Sequence, residues 1–381
     1  MTRRERLMAT MQGESVDRPP VSFYEINGLD ENPDDSDPYN IYADPSWLPL
    51  IELTREKTDR IVMRPVPFKN MPPNPVKPLT TVDVSDNGSS RFTTTTIRAG
   101  NRTLCTRTRR DADVNTVWTL EHLLKDTDDL HAWLDLPEQD DIGCPDISGF
   151  LAAEEALGNA GIVMVDIADP LCYTAALFEM GLYTVIALTE PALFHAALQK
   201  NDRVINRKVE AIARALPGRL WRIVGPEYAS PPYLPPELFC EYVVRYDTPL
   251  VKTIQASGGY ARIHSHGNLK HIIEPIMSMN PDGLDPIEPP PQGDVELLDI
   301  RRRFGDRLVL FGNLEVSDIE TLPTADFRLK VERAITQGTD GNGRGFVLMP
   351  SACPYGRLLS PLALKNYECM IAMIEQFPTH N

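Results

Sequence analysis

The chain has 381 residues, 42% hydrophobic and 24% charged, with a formal net charge of -16 from 38 basic and 54 acidic side chains. That composition belongs to a globular protein with a large core, and the length suits either two domains or one α/β barrel. The acidic balance excludes nucleic acid and anionic membrane as main partners, and no stretch approaches the ~20 apolar residues of a membrane helix.

The basic start, MTRRERLMATMQG, lacks the apolar core of a signal peptide and predicts an amphipathic helix over 2–12. Short apolar runs at 21–26 and 60–66 read as strands, with an Asp-, Asn- and Pro-rich loop at 28–45 between them. Residues 90–109 are Thr-rich and broken by Ala99-Gly100-Asn101, a β-hairpin signal. The acidic segment 111–136 reads as one or two surface helices. Six cysteines are scattered without a CxxC pair, as in a cytoplasmic protein with reduced thiols.

From residue 161 the pattern becomes regular. Strands are predicted over 161–166, 220–228, 260–266, 283–288, 307–312 and 345–349. Helices are predicted over 175–216, 236–257, 269–279, 295–304, 325–337 and 362–377. Short apolar strands alternating with longer helices signal βαβ units and a parallel sheet. With the two early runs the strands number eight, enough to close a (β/α)₈ TIM-type barrel. The expectation is one barrel domain over 1–381, with an irregular region at 1–150 carrying the hairpin insertion.

Barrel chemistry sits at the carboxyl ends of the strands. Those ends carry Tyr24 and Glu25, Arg64, Asp166 and Asp169, Glu227 and Tyr228, His264 and His266, Glu288, Asn313 and Glu315, and Ser351 and Cys353. The sharpest element is Ile263-His264-Ser265-His266-Gly267-Asn268. Histidines at i and i+2 on a strand share a face and can hold one metal ion. With the Cys353 thiolate and the Glu227 carboxylate they would make a tetrahedral zinc site, three protein ligands being usual in catalytic zinc. His-x-His also occurs without metal, and a buried cysteine also serves as a small core residue. Glu227 reads as a ligand or a general base. Tyr24, Tyr228 and Glu288 could orient substrate, Asn313 could hydrogen-bond it, and Asp166 could line the mouth. His122, His131, His195, His271 and His380 fall away from strand ends. No GxGxxG, phosphate loop or GxSxG elbow is present, and the glycine-rich 338–345 precedes a strand, the wrong end for phosphate.

Several segments together carry a family likeness. Thr2-Arg3-Arg4-Glu5-Arg6 with Asp17-Arg18-Pro19-Pro20-Val21 resembles the start of the uroporphyrinogen decarboxylase-like superfamily. So do the histidine segment, Gly283-Leu284-Asp285, Phe304-Gly305-Asp306-Arg307, Phe311-Gly312-Asn313, Met349-Pro350-Ser351 and Asn366-Tyr367. The resemblance spans nearly the whole chain in order and implies a distorted (β/α)₈ barrel. True decarboxylases carry an arginine-rich grip for propionates near the amino terminus. Here that place holds Val21-Ser22-Phe23-Tyr24-Glu25-Ile26 and an acidic loop. The other branch comprises zinc-dependent methyltransferases working with corrinoid proteins, whose zinc motif is His-x-Cys with a distant Cys. His264 matches the first position and Cys353 the distant one, while His266 stands where the family has Cys. A nitrogen- and oxygen-richer site is a harder Lewis acid and would suit an oxygen-bound methyl group.

Two activities stay open on the sequence. One is transfer of a methyl group from a small methylated, most simply methoxylated, substrate to a separate corrinoid protein, with zinc polarising the leaving oxygen. The other is a metal-free decarboxylase or lyase of a small acid, for which Arg64 and Arg262 are the candidate clamp. A non-enzymatic barrel that binds the corrinoid partner fits less well, because a degenerate mouth would fill with apolar residues. A homodimer is compatible with either activity.

Overall fold

The computed structural model describes residues 1–341, 343 and 345–377; His380 and the glycine-loop residues Asn342 and Arg344 lie outside them. Seven parallel strands form one curled sheet in simple sequence order. They are β1 (Arg60–Arg64), β2 (Gly161–Ala168), β3 (Leu220–Val224), β4 (Tyr260–Ser265), β5 (Gly283–Pro286), β6 (Val309–Leu314) and β7 (Phe346–Pro350). Each is a short apolar run, and side chains alternate between two faces. One face, including Val62, Val163, Val165, Ile223 and Ile263, packs against the surrounding helices. The other encloses a separate inner cluster of Ile61, Ile162, Met164, Leu220, Val309, Phe311, Val347 and Met349.

The predicted strand at 21–26 does not form. Val21 bridges in parallel to Leu348 of β7, while Phe23 and Ile26 bridge only each other across a tight turn. Ser22 N–H donates to Leu348 O at 3.0 Å, Leu348 N–H to Pro20 O at 2.9 Å, and Asp59 N–H to Val21 O at 2.7 Å. Val21 thus joins the last strand to the first and completes the ring. Tyr24 then turns the chain with φ at 58°, so no longer strand can follow.

Asp59 fixes this closure. Its carboxylate accepts from Val21 N–H at 2.9 Å, Arg18 at 2.7 Å and Arg6 at 2.6 Å. Arg6 comes from helix α1 (Arg3–Gln12), which begins with a capping box between Thr2 and Glu5. Leu7 and Met11 of the same helix join the inner cluster beside Ile162 and Leu220, where the strands begin.

Other elements depart from the sequence pattern. Helices α2 (Leu48–Lys57) and Ser148–Leu157 were not anticipated. The segment at 111–136 holds a strand, Val117–Glu121, before its one helix, Thr127–Leu134. Helical sequence at 175–216 splits into Met180–Thr189 and Pro191–Ala215, bent by 112°. No single helix among the described residues is long and apolar enough to cross a membrane. A second sheet is antiparallel, with strands Thr80–Asp86, Ser90–Ala99, Arg102–Asp111 and Val117–Glu121. It reaches loops beyond the strand ends: Asn115 N–H donates to Tyr355 O at 2.7 Å, and Leu124 N–H to Leu177 O at 2.9 Å.

Replacing Asp59 by Ala leaves two arginines and a strand-edge N–H without their buried acceptor. Urea unfolding at neutral pH should show a loss of about 3–5 kcal/mol, the range for breaking a buried ion pair. Asp59→Asn, which keeps an acceptor oxygen, should lose less.

Candidate active site

Register stacks the inward side chains in tiers. Arg262 of β4 lies opposite Arg222 of β3, which lies opposite Asp166 of β2. One step nearer the mouth, His264 lies opposite Asp285 of β5. The barrel therefore carries a charged layer above its apolar cluster.

Two ion-pair chains make up that layer. Arg222 grips Asp166 with both arms, at 2.6 and 3.1 Å, and its third nitrogen donates to the Tyr24 hydroxyl. Burial works against the Arg222 charge, but Tyr24 and Asp166 outweigh it and hold its pKa above the ordinary value. Burial pushes the Tyr24 hydroxyl up. The second chain runs from Arg262 through Asp285 to His264. Arg262 Nε lies 2.7 Å from Asp285 Oδ1, and His264 Nδ1 lies 2.6 Å from Oδ2. Burial would raise the Asp285 pKa, yet Arg262 and His264 bring it down to about 2. The Arg262 guanidinium also sits 4.7 Å over the Phe311 ring.

His266 lies just past the end of β4. Its Nδ1 is 2.7 Å from Glu288 Oε1, and Gly267 N–H donates to Glu288 Oε2 at 2.8 Å. Burial opposes charge on His266, and the Glu288 bond outweighs it, so its pKa lies above the ordinary value. Opposite an ionised carboxylate a ring nitrogen must be the donor, so both histidines present Nε2 away from their carboxylates. The two rings lie 4.6 Å apart at 84°, and Tyr24 stacks on His264 at 6.0 Å.

The predicted zinc set is not brought together. Cys353 Sγ donates to Glu25 Oε2 at 3.0 Å, in a buried position. Burial, then the Glu25 charge, push its thiol well above the ordinary value, which suppresses the thiolate a metal needs. β3 ends at Val224, so Glu227 sits on the short turn Pro226–Ala229, where its Oε2 accepts Gly225 N–H at 3.0 Å. Gly225 has φ at 135°, and a Cβ there would lie 2.0 Å from Asp169 Oδ1. Among the described residues no three His, Cys, Asp or Glu side chains form a group that could hold a metal ion. The four-residue tetrahedral set therefore does not fit.

Several remaining candidates have firm places. Asn313 is buried at the end of β6. Glu315, the first residue after β6, is 6% exposed and accepts from Ser351 Oγ at 3.3 Å through Oε2, while its buried Oε1 has no hydrogen-bond partner. Burial, then the neighbouring Glu288 carboxylate, push Glu315 up to about 7. Asp169 is not at the mouth: it is fully buried and caps helix Pro170–Ala175 through Cys172 N–H at 2.5 Å. Arg64 pairs with Asp30. Sequence reasoning missed Arg222 and the role of Asp285. The one signal for Arg222 was a cation inside the apolar run Leu220-Trp221-Arg222-Ile223-Val224.

The fold is an α/β barrel whose charged tier lies toward the carboxyl ends of its strands. The uroporphyrinogen decarboxylase (URO-D) family matches residues 171–376, more than half of the chain. The chain belongs to that family. Among solved structures, a methyltransferase from Methanosarcina mazei is similar at 15% identity and a TM-score of 0.59, over 99% of each chain. At that identity the likeness is one of fold. A sugar phosphate isomerase/epimerase from Parabacteroides distasonis aligns at 12% identity and a TM-score of 0.34, over 61% of this chain and 94% of its own. No curated protein sequence matches.

Glu315 gives a checkable pH dependence. Between its ordinary value of 4.5 and about 7, the unfolded chain ionises this carboxyl while the folded chain keeps it protonated, so stability falls across that window. Glu315→Gln should therefore melt higher than wild type above pH 7, by about 2–3 kcal/mol, with the gap closing toward pH 4. Melts in parallel at acid and alkaline pH check this; an equal gap at both ends would show that Glu315 ionises normally.

Proposed function

We propose that the chain is a methyltransferase that moves a methyl group from a small methylated compound to the cobalt of a separate corrinoid protein. The observation that carries this reading is the charge of the mouth. Arg222, Arg262 and Arg64 are each neutralised by an aspartate, while Glu227, Glu288 and Glu315 set a negative field around His266. A porphyrinogen with its ring of carboxylates would meet repulsion there. Family membership and the missing arginine-rich grip support the same choice.

The chain's own residues position and shield the reactants. Asp285 and Glu288 lock the two imidazoles in one tautomer, which leaves both Nε2 atoms for a substrate or an ion. Tyr24 walls one side of His264. The corrinoid partner supplies the nucleophile. Zinc, the ion expected from the resemblance, would find two nitrogen donors here but neither the Cys353 sulfur nor Glu227 beside them, so the side chains described above carry the reading without it.

The decarboxylase or lyase reading draws on Arg222 and Arg262 lying side by side. Both are already held by Asp166 and Asp285, which leaves neither guanidinium free to grip a substrate carboxylate.

The test is methyl transfer to chemically reduced cobalamin, followed by absorbance, with a panel of methylated donors and simple carboxylic acids. Methylated cobalamin is expected, and carbon dioxide release from an acid without it would overturn the reading. His264→Ala should lose at least about 100-fold in kcat/KM. Cys353→Ser should stay within about three-fold, because the thiol already belongs to Glu25.

A further inference from the structure

We infer that a cavity at the carboxyl end of β2 binds a small aryl carboxylate, with Lys208 as its counter-ion. The inference concerns binding alone and stands whether or not the chain transfers methyl groups.

The first ground is the cavity. Its volume is about 290 Å³, and it lies where the segment after β1, the ends of β2 and β3, and helix Pro191–Ala215 meet. That volume is close to the smaller sites that take organic ligands, and barrels hold their ligands at the carboxyl ends of the strands. Most of the wall is apolar, with Val66, Ile167 and Val224 brought in by three different strands or their loops. Two rings, Phe68 and the exposed Tyr173, complete it. A flat apolar body suits such a wall.

The second ground is where the lysine stands. Ile205, Lys208, Val209 and Ile212 occupy i, i+3, i+4 and i+7 of their helix, the stripe that a helix turns inward. The three apolar members are buried, and Lys208 is half-buried among them. All four line the cavity. The Lys208 ammonium sits 5.6 Å over the Phe68 ring. Among the described residues it has no carboxylate within ion-pair distance. A lysine that only covers apolar surface with its stem would send its charge to water. Here the charge is held over a ring that belongs to the same cavity.

The third ground is the charge balance of the wall. Its other charged group is Asp166, which Arg222 already grips with both arms. Nearby carboxylates are also engaged, Asp30 by Arg64 and Asp146 by Lys69. Lys208 is therefore the charge that a ligand would match. A single ammonium, with a carboxylate in the same wall, suits a monoanion and disfavours a phosphate dianion. A carboxylate would accept from the Lys208 ammonium in a charge-assisted hydrogen bond while its ring lies among Phe68, Ile167 and Val224.

The experiment compares 2-naphthoate with 2-naphthamide, its uncharged isostere, by ligand-observed NMR titration of the purified chain. Naphthoate should bind at least about ten-fold more tightly. Lys208→Met keeps the apolar stem and removes the charge. It should weaken naphthoate by about ten-fold and change naphthamide by less than about two-fold, while Lys208→Arg keeps most of the preference. Val66→Phe, which fills the cavity, should weaken both probes. Melting curves establish that the variants are folded. Equal binding of the two probes overturns the inference, as does the absence of saturable naphthoate binding. Naphthoate binding that survives unchanged in Lys208→Met or in Val66→Phe overturns it too.

Discussion

The carboxylate of Asp59 holds two arginines and the N–H of Val21 at once, and the barrel is continuous because of it. Pro19 and Pro20 have no N–H to give a ladder, so the segment before Val21 can only accept from β7. The left-handed turn at Tyr24 stops the extended run a few residues later. A single bridge would be a weak seam. Asp59 strengthens it from the side and ties it to α1, which plugs the lower barrel. The amino-terminal pattern Arg6 with Asp17-Arg18-Pro19-Pro20-Val21 thus has a structural reason, independent of any substrate.

Closure in turn fixes Tyr24 over the barrel. There its hydroxyl accepts from Arg222, and its ring covers His264. Burying two arginines and two aspartates in a barrel is costly unless each is paired at close range. Here every charge meets its opposite within about one hydrogen-bond length, in two crossed chains that share no residue. The result is a rigid, internally neutral floor. Above it lie the imidazoles of His264 and His266 with the carboxylate of Glu288.

Much of this was legible in the sequence. Seven of the eight expected strands form, six of them in the second half, because buried parallel strands read as short apolar runs between helices. His264 faces the barrel interior as strand alternation leads one to expect, whereas β4 stops at Ser265 and His266 reaches the neighbouring position from just past its end. The errors have local causes. Val21 looked like the start of a strand because Val-Ser-Phe-Tyr-Glu-Ile alternates in polarity, and nothing in that pattern encodes the positive φ of Tyr24. Glu227 was set at a strand end, yet Gly225 ends the strand with a conformation that side chains rarely adopt. Helix α2 was hidden by its short apolar face and by Pro49 in its first turn. Arg222 and Asp285 could not be paired in advance, since their partners lie on other strands and depend on register.

The two positions at which the resemblance expects sulfur ligands, 266 and 353, share one electrostatic setting. A sulfur-ligated site needs thiolates, and a thiolate needs a cationic or polar surrounding. Cys353 instead is buried beside the negative charges of Glu25 and Glu31, and burial and both charges favour the protonated thiol. A lone cysteine at 266 would have faced Glu227, Glu288 and Asp285, an equally poor place for a second thiolate. Histidine tolerates that company because a carboxylate at Nδ1 strengthens it as an acceptor at Nε2. Where the resemblance expects sulfur ligands, at 266 and 353, the chain therefore sets carboxylates beside both positions, a field that favours positive charge over a thiolate.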